Sequence, residues 1–460
     1  MKESLALLPA LLAGWVAFRK SPQAAFVNVY LPVLLLLPDY YYWNAPGLPD
    51  PSFIEAPTIP IFAAFLVMHR VPWKFTLTDV LVVGYAFSVG YSEYLAAGYK
   101  EAQNLLFDCV AQVLLPYILA KGLIEPHRLR EAAAKRFALL LFLVSVVSVF
   151  EFRFARNPWR MFFDPFFPFQ GRGWIVSLRW GFGRTAGPFG HSILAGVILV
   201  AGYRLNRWVQ WSGLWPKRIS RWLPWQPLST GAIIAWGYVL GLAMTMARGP
   251  WLGAMVAAVI AWVGKTKNRW QTLFVIAAVG AVVGIPALAA FRSYVSVGRS
   301  GAQSDTQETA AYRFELLQNY LDIVYQKPLF GWGRNTWPKV SGQPSIDNHY
   351  LLLLLMHGFS ATLLLLSLLV VVGGKLFWHG MNEPPSQPPG SSFAMTLLGI
   401  LVATYFAIAT VFMGLNVTPV LFVVFGWAEG YLAYGRQYRP GAAAPPSAPP
   451  PRFQFSRVLT

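Results

Sequence analysis

Three short polar segments interrupt the apolar runs of this chain, and the first combines groups that could bind an anion. It runs from Arg184 to His191 and contains Gly187 and Gly190. Glycine lets the backbone approach a ligand closely, and a helix beginning at this point would favour a negative charge. The segment indicates either an anion-binding loop or a membrane-entry loop whose arginine contacts lipid headgroups.

The second segment is a tight turn, Ala247-Arg248-Gly249-Pro250, between two apolar runs. A cation with little water around it needs an anionic partner, which is either a protein carboxylate or a ligand phosphate. No acidic residue lies near Arg248 in the sequence. This absence favours a ligand phosphate as the partner.

The third segment, Asp347-Asn348-His349, opens an apolar run over 348–373. A carboxylate, an amide and an imidazole at one helix mouth could supply a general base and the groups that orient it. A helix N-cap explains Asp or Asn equally well, and His349 could be an ordinary interfacial residue. Because potential metal ligands are not clustered, we expect neither a metal nor another cofactor.

Composition places these segments in a membrane protein. Hydrophobic residues make up 56% of the 460 and charged residues only 12%, whereas a soluble domain needs roughly 25% charged residues. The net charge of +18 comes from Lys and Arg in short segments between apolar runs, which is typical of cytoplasmic loops and does not indicate nucleic-acid binding. The single cysteine, Cys109, excludes an internal disulfide and a cysteine-cluster metal site.

The apolar runs predict an all-α polytopic membrane protein with about 12–13 transmembrane helices, since one span needs about 20 apolar residues. The candidate spans lie near 4–18, 24–38, 57–68, 79–97, 103–121, 136–152, 186–203, 229–247, 250–264, 270–290, 348–373, 393–413 and 416–434.

Threading these spans through a bilayer places the short basic loops on one side, which the positive-inside rule makes cytoplasmic. The loop 39–56 falls on the other side and contains Asp39, Asp50 and Glu55 but no Lys or Arg. The predicted organisation is N-terminal transmembrane helices (1–152), an arginine-rich external loop (153–185), core transmembrane helices (186–290), a long periplasmic loop before the eleventh span (291–347), C-terminal transmembrane helices (348–434) and a disordered cytoplasmic tail (435–460).

The order of these features resembles that of the O-antigen ligase/polymerase family of bacterial membrane glycosyltransferases. The resemblance covers roughly 180–370. Its elements are Arg184 before a span, the Arg248-Gly249 turn, Arg313 in the long external loop, the Pro-Leu-Phe-Gly-Trp-Gly stretch 328–333 and the polar cluster that opens the next span. The resemblance implies a GT-C-like architecture.

The family pattern has a His, then Asn, Ser or Gln, then nine residues and a Gly. Asn348 and Gly358 satisfy this spacing, but Asp347 occupies the His position and His349 lies two residues later. The resemblance therefore assigns the general base to Asp347 or His349, with Asn348 beside it. It also implies structural roles for four glycines, namely Gly187, Gly331, Gly333 and Gly358.

The resemblance implies transfer of a glycan from undecaprenyl pyrophosphate to a sugar hydroxyl of lipid A core or a growing polysaccharide. Arg184, Arg248 and Arg313 would bind the pyrophosphate in place of a metal, and the anomeric configuration would invert. The protein would lie among the lipids of the bacterial inner membrane with its site facing the periplasm. Ligase and polymerase both fit. A transporter or flippase of lipid-linked saccharides is the alternative, but it should place its charges near the bilayer midplane.

Overall fold

The computed structural model describes residues 2–44, 49–68, 71–170, 176–218, 228–343, 345–384 and 392–435. The predicted disordered tail, apart from Gly435, lies outside the described residues. The described residues form 17 α-helices: α1 (Leu8–Arg19), α2 (Pro22–Ala25), α3 (Leu31–Leu36), α4 (Thr58–Met68), α5 (Leu77–Ala97), α6 (Tyr99–Asp108), α7 (Leu115–Leu123), α8 (Arg130–Phe154), α9 (Pro158–Phe163), α10 (Ser192–Trp211), α11 (Thr230–Thr245), α12 (Arg248–Lys265), α13 (Arg269–Val295), α14 (Asp305–Gln326), α15 (His349–Asn382), α16 (Phe393–Ile408) and α17 (Gly414–Tyr434).

A few short elements complete the described secondary structure. Two 3₁₀ turns cover Lys2–Leu7 and Gly187–Phe189, and two π-helical segments cover Phe26–Tyr30 and Cys109–Leu114. Strands β1 (Leu178–Arg179) and β2 (Phe182–Gly183) form an antiparallel hairpin.

The protein is an all-α polytopic membrane protein, as the apolar runs predict. Six helices are long and apolar enough to cross a membrane, and a helix lies at each of the other predicted spans. The span predicted from residue 186 begins only at Ser192, because the preceding residues form a 3₁₀ turn. The six are Leu77–Ala97, Tyr99–Leu123, Arg130–Phe154, Arg269–Val295, His349–Asn382 and Asn416–Tyr434.

Small residues allow the central helices to pack closely. A Cβ built on Gly253 of α12 would lie 3.1 Å from the Ala403 carbonyl oxygen of α16, and one on Gly399 of α16 would lie 3.1 Å from the Ala257 carbonyl oxygen of α12. Membrane helices associate through such close van der Waals packing, because lipid offers no hydrophobic driving force between them.

Ion pairs with buried carboxylates lie at the end of the bundle where α7 and α17 finish and α8 begins. Lys121 lies 2.7 Å from Asp79, and Arg130 lies 2.7 Å from Glu125. Lys375 lies 2.8 Å from Glu429. A charge buried without a partner is very unfavourable, so each of these three buried carboxylates is stabilised by its cation.

Helix α15 is broken at Gly358, where φ is 71° and ψ is −170°. The 328–333 stretch fills the break with backbone hydrogen bonds. Trp332 N donates to the Leu355 carbonyl at 2.8 Å, and Phe359 N donates to the Pro328 carbonyl at 2.7 Å. Carbonyl and amide groups freed by the kink are thereby satisfied, as a membrane interior requires.

Three of the predicted structural glycines lie at this junction. A Cβ on Gly331 would lie 2.6 Å from the Met356 carbonyl carbon, and one on Gly358 would overlap the backbone of Leu329. A Cβ on Gly333 would meet Ala96 of α5. The stretch between α14 and α15 is therefore attached to the bundle by contacts that only glycine permits.

We predict that Gly358→Ala destabilises the protein markedly, whereas Gly374→Ala in the same helix does not. A backbone with positive φ and ψ near 180° alone costs alanine about 1–3 kcal/mol, and the overlap with Leu329 adds to this cost. Gly374 has open space around its Cβ position, so alanine there should be neutral or stabilising. Thermal unfolding of both variants in detergent measures the difference, and equal melting temperatures would contradict this account of the kink.

Candidate functional site

The loop that contains Arg184 docks on the turn between α11 and α12. Thr185 N donates to the Met244 carbonyl at 3.2 Å, and Arg184 Nε donates to the Thr245 carbonyl at 3.3 Å. Arg179, from the β-hairpin, donates to the Met246 carbonyl at 2.8 Å. The loop thus lies against the turn that precedes Arg248, so two arginines far apart in sequence belong to neighbouring loops.

A buried carboxylate that sequence analysis missed holds this loop from beneath. Glu151, near the end of α8, accepts hydrogen bonds from Ala186 N at 3.1 Å and Gly187 N at 2.9 Å. Asn157 Nδ2 donates both to Glu151, at 2.9 Å, and to the Gly187 carbonyl, at 2.8 Å. The only signal in the sequence was an acidic residue in the last turn of an apolar span.

Arg184 keeps its charge without a carboxylate. Burial lowers the pKa of Arg184 to about 10, and nearby Arg179 acts in the same direction. This value still leaves the guanidinium protonated at neutral pH. In the described part of the chain no carboxylate forms an ion pair with Arg184, and its guanidinium donates to one backbone carbonyl, that of Thr245.

The Arg248-Gly249 turn and Arg313 both approach the connection between α16 and α17. Helix α12 begins at Arg248, whose side chain is exposed, and a Cβ on Gly249 would lie 2.7 Å from Thr410 Oγ1. Arg313, half-buried on α14, donates from Nη2 to the Thr410 carbonyl at 3.4 Å, while its Nε has no hydrogen-bond partner among the described groups. The Arg248-Gly249 turn and α14 therefore both lie next to Thr410.

The three residues of the Asp347-Asn348-His349 cluster have different hydrogen-bond partners and different burial in the structure. Asn348 is the N-cap of α15, and its Oδ1 accepts from Tyr350 N at 3.0 Å and Leu351 N at 3.2 Å. Asp347 precedes the helix, is half-buried and accepts from Ser345 Oγ at 3.0 Å. His349 is 5% exposed, and its Nδ1 accepts from Met413 N at 3.4 Å. Asn348 thus serves the capping role that sequence analysis left open.

His191 connects Asp347 with the Arg184 loop. Burial lowers the pKa of His191 to about 4; the charge of Arg184 acts in the same direction and that of Asp347 opposes it. His191 Nδ1 accepts a hydrogen bond from Ile193 N at 3.1 Å, so the neutral ring holds its proton on Nε2. Both charges act on this ring, and Arg184 and Asp347 each precede a helix that begins at this end of the bundle.

The four charged residues Arg184, Arg248, Arg313 and Asp347 therefore lie at one end of the bundle, here called the site end. The Lys121–Asp79, Arg130–Glu125 and Lys375–Glu429 pairs lie at the opposite end. Every one of these four residues was predicted from sequence, whereas Glu151, His191 and Thr410 received no role there. Their importance depends on contacts between distant segments.

A second compartment opens at the site end beside His349. It is a cavity of about 310 Å³ lined by apolar side chains together with Asp108, Gln112, Arg334, His349 and His357. His349 Nε2 is buried there without a hydrogen-bond partner in the described structure. Asp108, Gln112 and Arg334 also line an adjoining groove, of about 210 Å³, with Asp39, Asp50 and Glu55. Sequence analysis noted these three acids only as markers of an external loop.

A comparison with known protein families identifies a match to part of this chain. Residues 233–366 match the family described as O-Antigen ligase. The chain carries an O-antigen ligase domain. The matched part contains Arg248, Arg313, Gly358 and the 347–349 cluster, whereas Arg184 precedes it. No curated protein matches the chain.

We predict that His191 makes the protein less stable in acid. Its folded-state pKa of about 4 lies below the ordinary value of about 6.5, so the unfolded chain binds more protons between these values. Stability is complete above pH 6.5 and falls as the pH drops towards 4, by at most about 2 kcal/mol at pH 5. His191→Asn should reduce the loss between pH 7.5 and pH 5, as measured by chemical unfolding in detergent. An unchanged pH dependence would contradict the buried, neutral state of His191.

Proposed function

We propose that this protein transfers a glycan from an undecaprenyl pyrophosphate carrier to a sugar hydroxyl, as a ligase or polymerase of the O-antigen type. The observation that supports this most directly is the gathering of Arg184, Arg248 and Arg313 with Asp347 at the site end. The family match supports the general class of activity. The donor, the acceptor and the roles of individual residues are our inference.

The arginines suit a pyrophosphate donor. A guanidinium binds phosphate oxygens through two parallel hydrogen bonds, which an ammonium group does not. Arg184 and Arg313 lack carboxylate partners among the described residues, so their charges are available to a ligand. Negative charge develops on the pyrophosphate as it departs, and fixed cations stabilise it most in the transition state. We infer that these cations perform the task of a divalent metal.

We assign the general base to Asp347 in preference to His349. Asp347 lies on the His191 and Arg184 side, whereas His349 is buried and lines the separate cavity. The Asp347 carboxylate would take the proton of the acceptor hydroxyl. The hydroxyl oxygen would at the same time form the bond to the anomeric carbon. The bond from that carbon to the pyrophosphate oxygen breaks, and its electron pair leaves with the pyrophosphate. Attack opposite the leaving group inverts the configuration.

The distribution of basic residues supports a periplasmic site in the bacterial inner membrane. Arg19, Lys20, Lys74, Lys265 and Lys375 lie towards the end opposite the site, and cytoplasmic loops retain such residues. We therefore propose that the site end, including the external segments 153–185 and 291–347, faces the periplasm among the membrane lipids.

A flippase of lipid-linked saccharides remains the alternative from another class. A flippase should place charged groups near the midplane on broken helices. The break in α15 at Gly358 has such a form, but Arg184 lies in a loop, Arg248 begins α12, and Arg313 lies on α14, which is not among the six membrane-length apolar helices. Their position favours chemistry at the membrane surface over passage through the bundle.

We predict that Arg184→Ala and Arg248→Ala each reduce glycan transfer by about 10²–10³-fold, which is the cost of removing one group that stabilises a departing charge. Lys267→Ala is the matched control, because it removes an exposed cation from the opposite end. The assay uses purified protein in liposomes with an undecaprenyl pyrophosphate glycan, candidate acceptors and no added metal. Full activity of both arginine variants, at normal protein levels, would discard the proposal.

We predict that Asp347→Asn lowers the turnover number by about 10²–10⁴-fold and that His349→Gln lowers it much less. Both variants keep a polar side chain of similar size, so each should remain folded. The reverse ranking would transfer the base to His349.

In the same assay a single attached glycan indicates a ligase, and a ladder of increasing length indicates a polymerase.

A further inference from the structure

An arginine at the end of the bundle opposite the site has an environment unlike that of its neighbours. Arg204, on α10, is 1% exposed, and its Nε and Nη2 have no hydrogen-bond partner in the described ranges. The buried cations Lys121 and Arg130 at this same end are each matched by a carboxylate at 2.7 Å. Arg204 has no described carboxylate in ion-pair contact. Because a buried guanidinium is costly without an anionic partner, this environment favours binding of an anionic ligand.

Two further cations converge with Arg204 on a single indole ring. The centre of the Trp211 ring lies 5.5 Å from Arg204 Cζ, 4.7 Å from Arg207 Cζ and 4.8 Å from Lys265 Nζ. Cation–π attraction offsets part of the cost of bringing these charges together, but it leaves three positive charges in one place. The described ion pairs include none of the three.

Helix geometry explains only part of this cluster. Lys265 ends α12 and Arg207 lies near the end of α10, where the helix dipole favours cations. Arg204 lies a turn deeper and is buried, so the dipole does not provide partners for its unsatisfied N–H groups. The cluster therefore needs a ligand with several acceptor oxygens.

We propose that Arg204, Arg207, Lys265 and Trp211 form a binding site for the phosphate of an anionic membrane lipid. Lys265 is exposed and Arg207 is half-buried, so a headgroup reaches them first, with Arg204 beneath. Tryptophan suits the headgroup level of a membrane, and basic pockets between membrane helices bind anionic headgroups. The exposed Trp262, one turn before Lys265, offers an apolar surface beside the lipid chains. This site is separate from the proposed glycan-transfer site.

The test measures thermal unfolding of purified protein in neutral detergent with added phosphatidylglycerol or phosphatidylcholine. The wild-type melting temperature should rise by a few degrees more with phosphatidylglycerol, because a ligand that binds only the folded state stabilises it. The double variant Arg207→Gln/Lys265→Gln should lose most of that difference. Lys217→Gln/Lys267→Gln is the control: it removes the same charge from exposed positions near this end and should keep the difference.

The variant Arg204→Met provides a second test of the lipid site in the same measurement. It should abolish the phosphatidylglycerol effect without lowering the melting temperature in phosphatidylcholine, since it removes an uncompensated buried charge. If this variant does not fold, the surface double variant decides. Three results would overturn the proposal: no lipid preference in the wild type, an equal loss in the control double variant, or the same stabilisation by sodium phosphate. The last would identify a site for free anions instead of a lipid.

Discussion

Guanidinium groups without carboxylate partners are the constraint around which the site end is organised. Arg184 is held by the carbonyl of Thr245 at the end of α11, and Arg313 by the carbonyl of Thr410. Carbonyl dipoles orient these side chains but leave their net charge uncompensated. In a membrane protein such charges are expensive, so their persistence indicates an anionic ligand. The same reasoning applies to Arg204 at the opposite end, where the ligand we infer is a lipid phosphate.

The rest of the fold fixes the positions of those cations. Glu151 holds the Arg184 loop by accepting hydrogen bonds from two backbone amides. The break at Gly358 admits the 328–333 stretch into α15 and so anchors the segment that follows α14. A site assembled from loops thereby gains rigid supports, which preorganised electrostatic stabilisation requires.

Much of this architecture could be predicted from the sequence, because span length and apolar composition follow from the thickness of the bilayer. Arg184, Arg248, Arg313 and Asp347 were recognisable since a charge between apolar runs is conspicuous. The start of α10 at Ser192 was not predicted, because a Gly-Pro-Phe turn is as apolar as a helix.

The side-chain partners required the structure. The roles of Glu151 and His191 depend on segments distant in sequence that pack together. The different surroundings of Asp347 and His349 depend on the cap at Asn348, which sets where the first turn of α15 begins. Sequence spacing alone left these two residues equivalent as bases.

The most direct test of the account is a cryo-electron microscopy structure of the protein with undecaprenyl pyrophosphate. The account predicts density for the pyrophosphate within hydrogen-bonding distance of Arg184 and Arg248, on the side where Asp347 lies. Pyrophosphate density elsewhere in the protein, with the site-end arginines unoccupied, would contradict it.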